Sequence, residues 1–245
     1  MEAQQHDFTS KPAAAHRVPP WLAPLVTVAN NGKLHTYFPE WDLGAALREL
    51  PARAAVLALF HGDPTATTLP DDAQILLTHR PPHMRAHAGQ VSFPGGRIDP
   101  TDAHVTAAAL REAFEEVGIV PTEIQPLAVA DNFPVRSARY PVAPVIGFWQ
   151  QPRRLPIVNG DETDAILHTP IAQLLDPDSR VTVRWNSFTG PGFYVEGYLV
   201  WGFTAAVLQA MLRAGGFEAP GFRAPEVDLS AALAASGNNE RPLQD

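Results

Sequence analysis

Between Ala103 and Val117 the sequence has the period of a helix and is apolar on every side but one. Such a segment must lie against a larger apolar layer, with a single stripe left accessible. Val105, Ala109, Ala113 and Val117 recur at helical spacing, Leu110 and Phe114 widen the apolar surface, and Gly118 supplies the stop. The stripe holds Arg111, Glu112, Glu115 and Glu116. Residues three and four apart are neighbours on a helix, so Glu112 sits beside both Glu115 and Glu116. Three carboxylates on one patch are costly unless a cation offsets them, and Arg111 alone cannot balance three. A solvated acidic face is the plain reading of the stripe taken by itself. The apolar remainder favours another, in which everything but the stripe is buried and the stripe faces out of the core. Hard divalent cations prefer carboxylate oxygens and keep water in their shell, so the stripe suits Mg2+ or Mn2+ holding a phosphate.

The layer for this helix to pack on is readable elsewhere. Ala54–Phe60 is continuously apolar, as in a buried strand, and Ile75–Thr78 is a second. Pro141–Trp149 and Val181–Trp185 read as further strands. Asn186–Gly192 carries turn chemistry ahead of Phe193–Val200, which predicts a hairpin. Thr204–Arg213 is a second helix, with apolar Val207, Leu208, Met211 and Leu212 and a Gly215-Gly216 stop. A mixed sheet with helices packed on it is the expected architecture. Residues 1–18 and 216–245 lack apolar periodicity and are expected to be flexible tails, although Phe217 and Phe222 could pin the start of the second. The domain then spans 19–215, and neither tail is expected to contribute a functional group.

A net charge of −8 argues against bulk attraction to nucleic acid or anionic lipid. No apolar run reaches the roughly 18 residues of a membrane span. Met1–Lys11 is polar, unlike a secretory leader, and the absence of cysteine excludes disulfides and thiolate chemistry. A cytoplasmic protein acting on a small molecule is expected, and a homodimer is admissible. The charge is uneven, however: no acid falls between Asp72 and Asp99, where Arg80, Arg85, Arg97 and three histidines stand. This is either a solvated loop or the place where an anion docks. His79, His83 and His87 are spaced by four, but Pro81-Pro82 forbids the helix that would align them on a metal.

Phe93-Pro94-Gly95-Gly96 sets a tight turn before the helix, and Gly96 to Ile119 resembles the Nudix box. Arg111-Glu112-Ala113-Phe114-Glu115-Glu116-Val117-Gly118-Ile119 fits the second half of that box throughout. In the first half, Asp102 takes a glutamate position, and eight residues rather than seven separate it from Arg111. Upstream, Leu76-Leu77-Thr78-His79-Arg80-Pro81 with Arg85, Gly89 and Phe93-Pro94-Gly95-Gly96 resembles the motif of the coenzyme A diphosphatase subfamily, Pro81 standing where serine or alanine is usual. Arg139–Gly147 and Trp201–Ala205 extend the resemblance to roughly Ala54–Leu212.

The resemblance implies the Nudix fold, an α+β arrangement with a mixed sheet sandwiched between helices. It implies metal-dependent hydrolysis of the coenzyme A diphosphate to 4′-phosphopantetheine and adenosine 3′,5′-bisphosphate. Glu112, Glu115, Glu116 and the Gly95 carbonyl would hold the metal. Arg111 and the three glutamates would form the catalytic group, with Glu162, in Asn159-Gly160-Asp161-Glu162, a further candidate base. Asp161 and Asp164 read as ordinary loop acids. Arg80, Arg85, His87, Gly95 and Gly96 would meet the substrate, and for His87 a local hydrogen bond is the competing role. Another nucleoside diphosphate derivative, such as ADP-ribose or NADH, is the alternative substrate. A non-catalytic nucleotide sensor is the more distant alternative, because such modules lose box carboxylates that this chain keeps.

Overall fold

The computed structural model describes residues 17–38, 45–135, 140–219 and 221–240. Residues 1–16, most of the expected N-terminal tail, and Arg139 lie outside that set. Helices α1 (Ala23–Asn30) and α2 (Ala45–Arg48) precede a run of strands: β1 (Ala54–His61), β2 (Gln74–His79), β3 (Val91–Ser92) and β4 (Gly95–Arg97). Then come helix α3 (Val105–Val117) and strands β5 (Ile124–Val129), β6 (Phe133–Pro134), β7 (Pro141–Trp149) and β8 (Ala165–Pro170). The remainder is α4 (Ile171–Leu175), β9 (Arg180–Trp185), β10 (Phe188–Val195), β11 (Tyr198–Val200), α5 (Gly202–Ala214), β12 (Glu226–Asp228) and α6 (Leu229–Ala234).

The larger sheet is mixed, as expected. Along one edge β1 runs parallel to β7, with Ala54 opposite Val142 and Phe60 opposite Phe148. Its other edge is shared: β4 pairs antiparallel with the start of β1, Val56 facing Gly95, while β2 pairs with its end, Phe60 facing Ile75. The neighbours of β1 therefore diverge, and Phe93-Pro94-Gly95 crosses the gap, with Leu57 N–H donating to the Pro94 carbonyl at 2.8 Å. Helix α3 covers one face of this sheet, burying Ala108, Ala109, Ala113 and Val117 against Ala55, Leu57, Leu59 and Val145. The opposite face packs α1 and α5 over Ala58, Phe60, Ile75, Leu77 and Ile146. Both faces of β1 and β7 are thus covered, which is why their sequences run apolar without alternation.

Particular boundaries differ from those expected. The catalytic-candidate helix starts at Val105, where the His104 ring accepts a hydrogen bond from the Ala107 amide at 3.1 Å and caps it. The turn before β10 is only Asn186-Ser187, and the segment read as one strand from Phe193 to Val200 breaks at Glu196-Gly197, where both residues take positive φ. The short strands β3, β4 and β6, and the longer β5 and β8, add to the strands expected from the sequence.

The largest difference lies at the C-terminal end. Residues 216–245, expected as a flexible tail, include β12, which joins the second sheet parallel to β9 with Val227 opposite Val183. Asp228 caps α6, and Leu229 and Ala232 are buried with Val181, Val183 and Leu199. Polar caps and three-residue strands carry no periodicity, so the pattern of apolar residues could not announce them.

Candidate active site

Sequence alone sets the stripe of α3 facing outward, but the structure grades it. Glu115 is half exposed, the Glu112 side chain is largely covered, and Glu116 is buried at 3% exposure. The expectation that the whole stripe faces out of the core therefore fails at Glu116. What covers it is the glycine turn. The Gly95 amide donates to Glu116 Oε2 at 3.0 Å, and Gly95 has φ +156 with the Ala55 carbonyl so close that no side chain fits. Gly96 lies under Glu112: a Cβ there would fall 2.5 Å from its carboxylate carbon.

Arg111 ties the stripe to the preceding loop. Asp102 grips it with both oxygens, Nε–Oδ1 at 3.1 Å and Nη2–Oδ2 at 3.0 Å, and the Arg97 carbonyl accepts from Nη2 at 2.9 Å. Its Nη1 then reaches Glu112 and Glu115, each at 3.1 Å. Hydrogen bonding to Arg111 holds the Asp102 carboxyl below the usual range, and the same contact raises Arg111 further above its already high value. Despite the altered spacing, Asp102 thus does structural work that the sequence left in doubt. An acid nine residues before Arg111 was the available signal.

The two deeper carboxyls are electrostatically unsettled. Burial pushes Glu116 up to about 7, opposed by the Gly95 amide and by Arg80, and Glu112 and Glu162 add repulsion. Burial also raises Glu112, against the pull of Arg111. Glu162, on an exposed loop, is therefore close enough to repel both. Of the acid-free stretch, Arg80 comes to the carboxylates: its Nη1 is 3.6 Å from Glu116 Oε1, and its Nε is buried with no hydrogen-bond partner. Arg85 and His83 stay exposed. The loop 80–90 is not helical, and His87, at φ 55, is bonded to Gln90 Oε1 at 2.8 Å, the local bond weighed for it. Asp164, read as an ordinary loop acid, instead meets the ring of buried His79, Nδ1 to Oδ1 at 2.5 Å.

Buried carboxylates whose charge is disfavoured, beside an orphaned guanidinium nitrogen, make a place that would be relieved by a cation and by phosphate oxygens. Among the described residues no three acidic or histidine side chains already enclose one ion. An ion here would complete its shell from backbone carbonyl, water and phosphate oxygens, as magnesium ordinarily does. The residues present fit such an ion on those terms.

Comparison with known proteins bears on the same region. The family described as NUDIX domain matches residues 61–185. A protein of Shigella boydii serotype 4, called an uncharacterized Nudix hydrolase NudL, is 41% identical, the match covering 56% of this chain and 72% of that one. Its counterpart in Escherichia coli O1:K1 is 40% identical over the same shares. Among solved structures, the M. smegmatis Nudix hydrolase RenU shares 18% identity over 70% of this chain and 89% of that chain, with a TM-score of 0.46. Among the described residues, no helix is long and apolar enough to cross a membrane.

Proposed function

The chain belongs to the Nudix family of hydrolases, which act on nucleoside diphosphate derivatives with divalent metal ions, and on that premise we propose that its substrate is coenzyme A or a coenzyme A ester. The observation that supports this reading is the meeting of Arg80 with Glu116 at 3.6 Å, which sets a cation from the loop 80–90 directly beside the box carboxylates. Coenzyme A presents a diphosphate and a separate 3′-phosphate, so its site needs more than one cation. Arg80 suits the diphosphate, because its partnerless Nε and its guanidinium fork can grip phosphate oxygens bidentately. Exposed Arg85 lies further along the same loop and suits the peripheral phosphate.

Glu112, Glu115, Glu116 and the Gly95 carbonyl would hold Mg2+ or Mn2+, which when bound polarises the diphosphate and acidifies a water. Arg111, fixed by Asp102, orients Glu112 and Glu115 toward that role. Glu162 stands on a solvent-facing loop within electrostatic reach of Glu112 and Glu116, and would take the proton from the attacking water. The water oxygen then bonds to one phosphorus as the bridging P–O bond breaks, giving 4′-phosphopantetheine and adenosine 3′,5′-bisphosphate. Gly96 lets Glu112 lie close over the turn, and His87 supports the loop through Gln90. The protein is expected to act in the cytoplasm on a free small molecule.

The test is a panel of coenzyme A, its acyl esters, dephospho-coenzyme A, ADP-ribose and NADH, with magnesium or manganese, and products identified by mass. Fastest turnover per KM on coenzyme A or its esters, with those two products, is expected. Preference for ADP-ribose or NADH would replace the coenzyme A reading.

A further inference from the structure

The contacts made by residues 236–240 are out of proportion to their position in a supposed tail. Asn238 has no exposed surface. Its side-chain oxygen accepts from the Leu199 amide at 2.7 Å and its nitrogen donates to the Leu199 carbonyl at 2.9 Å, so the amide group completes the edge of β11 as a strand would. Gly237 N–H adds a bond to the Gly197 carbonyl at 2.8 Å. Glu240, largely buried, accepts from the Trp201 indole at 2.7 Å and from Asn238 at 3.0 Å, and it also engages Gln90.

This strap is seated on the loop that carries the cations. The Asn238 carbonyl is 3.1 Å from His79 Nε2, and His79 immediately precedes Arg80. Gly89, at φ +76, lies so near that a Cβ on it would come 2.5 Å from the Asn238 carbonyl oxygen and 2.8 Å from the Glu240 nitrogen. Between those points the loop is closed by its own backbone: Arg80 N–H to the Gln90 carbonyl and Gly89 N–H to the Arg80 carbonyl, both 2.9 Å. On its other ring nitrogen His79 holds Asp164, two residues beyond Glu162, and its ring lies against Tyr198 at 4.4 Å. One buried imidazole therefore joins the strap, the cation loop and the loop of the candidate base.

We propose that Asn238 and Glu240 are positioning residues for the diphosphate site: by seating on Gly89, Gln90 and His79 they hold the Arg80–Gln90 loop in the conformation that receives phosphate. The inference rests on the proposed role of Arg80. The backbone of α3 is held by its own packing on β1 and β7, and the strap bears on Glu116 only through Arg80. A loop that is correctly placed for only part of the time weakens apparent binding by that fraction, without changing chemistry once substrate is held.

Three variants of the full chain separate this from a purely structural role: Asn238→Ala, Glu240→Ala, and Glu240→Gln as the conservative control that keeps an oxygen for Trp201. Amide hydrogen exchange is followed at Arg80, Gly89 and Gln90 and along α3, and kcat and KM are measured on whichever diphosphate the unaltered protein hydrolyses best. The two alanine variants are expected to exchange about tenfold faster at the three loop amides and to raise KM about tenfold, with kcat within about twofold and α3 unchanged. Glu240→Gln should keep the original KM. Should Asn238→Ala not fold, Glu240→Ala against Glu240→Gln carries the test alone. Unchanged loop exchange overturns the proposal even if the protein hydrolyses nothing in the panel. A fall in kcat at constant KM likewise overturns it, because that marks a loss of folded enzyme or a shift of the Glu162 loop through Asp164, not a loosened Arg80–Gln90 loop. Failure of the substrate reading shows instead as a parent protein that prefers another diphosphate, or hydrolyses none of the panel, while its loop exchange still responds to the strap.

Discussion

Gly96 lies directly beneath the Glu112 carboxylate, with space for a hydrogen and none for a methyl group. Gly96→Ala must therefore push the Glu112 head group aside. Because the displaced atoms are the end of a flexible side chain, the fold should lose no more than about 1 kcal/mol. Turnover should fall about a hundredfold, as when a metal-binding carboxylate is misplaced. Thermal unfolding and steady-state kinetics on the same preparation check both halves.

Glu116 yields a prediction with a pH signature in metal-free protein. Its carboxyl is raised from 4.5 to about 7, chiefly by burial. The folded state therefore prefers the neutral acid. Above pH about 7 it bears the full cost of a buried carboxylate, relieved progressively as pH falls from 7 to 4.5 and absent below that. Glu116→Gln should accordingly stabilise the metal-free protein at pH 8, by on the order of 1–3 kcal/mol, and the gain should vanish near pH 4.5. Activity should drop by orders of magnitude. Magnesium should raise the unfolding temperature of the parent more than that of the variant, since the ion and the proton compete for one group. A variant less stable than the parent at pH 8 without metal would refute the account of this burial.

Asp102→Ala removes both oxygens that hold Arg111. Charge-assisted bonds of this kind are worth about 1–3 kcal/mol, which is the expected loss of stability. The depressed carboxyl of Asp102 contributes stability that is present above its ordinary pKa and is lost as pH falls through its lowered value. Parent and variant should therefore converge in acid. Activity should fall less than for Glu112→Gln, because Arg111 keeps the Arg97 carbonyl as an anchor. Chemical denaturation at pH 7 and pH 3 gives the comparison.

Selectivity separates the two arginines of the loop. Arg85→Ala should raise KM for coenzyme A by about tenfold while leaving dephospho-coenzyme A nearly unchanged, if the exposed guanidinium meets the 3′-phosphate. Arg80→Ala should weaken both substrates alike, since both carry the diphosphate. Equal losses for Arg85→Ala on the two substrates would move that residue from the 3′-phosphate to the diphosphate or to structure.

The helix α3 was legible because it obeys one rule at a time. Its apolar positions, its glycine stop and its carboxylates are all local, and Val105–Val117 matches the expected range to within two residues. Arg80 was singled out by the motif resemblance together with its place in a stretch free of acids, and the structure sets it 3.6 Å from Glu116. Depth was not legible. Nothing in Glu115-Glu116 says that one is half exposed and the other buried; that depends on where Gly95 crosses from β3 to β4, a property of the divergent pairing along β1. Histidine spacing was also uninformative, since His79 finds Asp164 and Asn238, partners distant in the chain, while His87 finds Gln90 three residues on. Asn238 left no trace in any periodic pattern, because its burial comes from one amide group matching one strand edge.

The contact between His79 and Asn238 spans 159 positions. During synthesis at about 5–20 residues per second, roughly ten to thirty seconds separate the appearance of the two. Once Val117 has been made, β1, β2 and the helix bearing the carboxylates are all present, while Gly89 and the Nε2 edge of the histidine ring still lack the Asn238 carbonyl. The loop proposed to receive phosphate is thus made early, and the segment proposed to hold it arrives after the residues it is seated on.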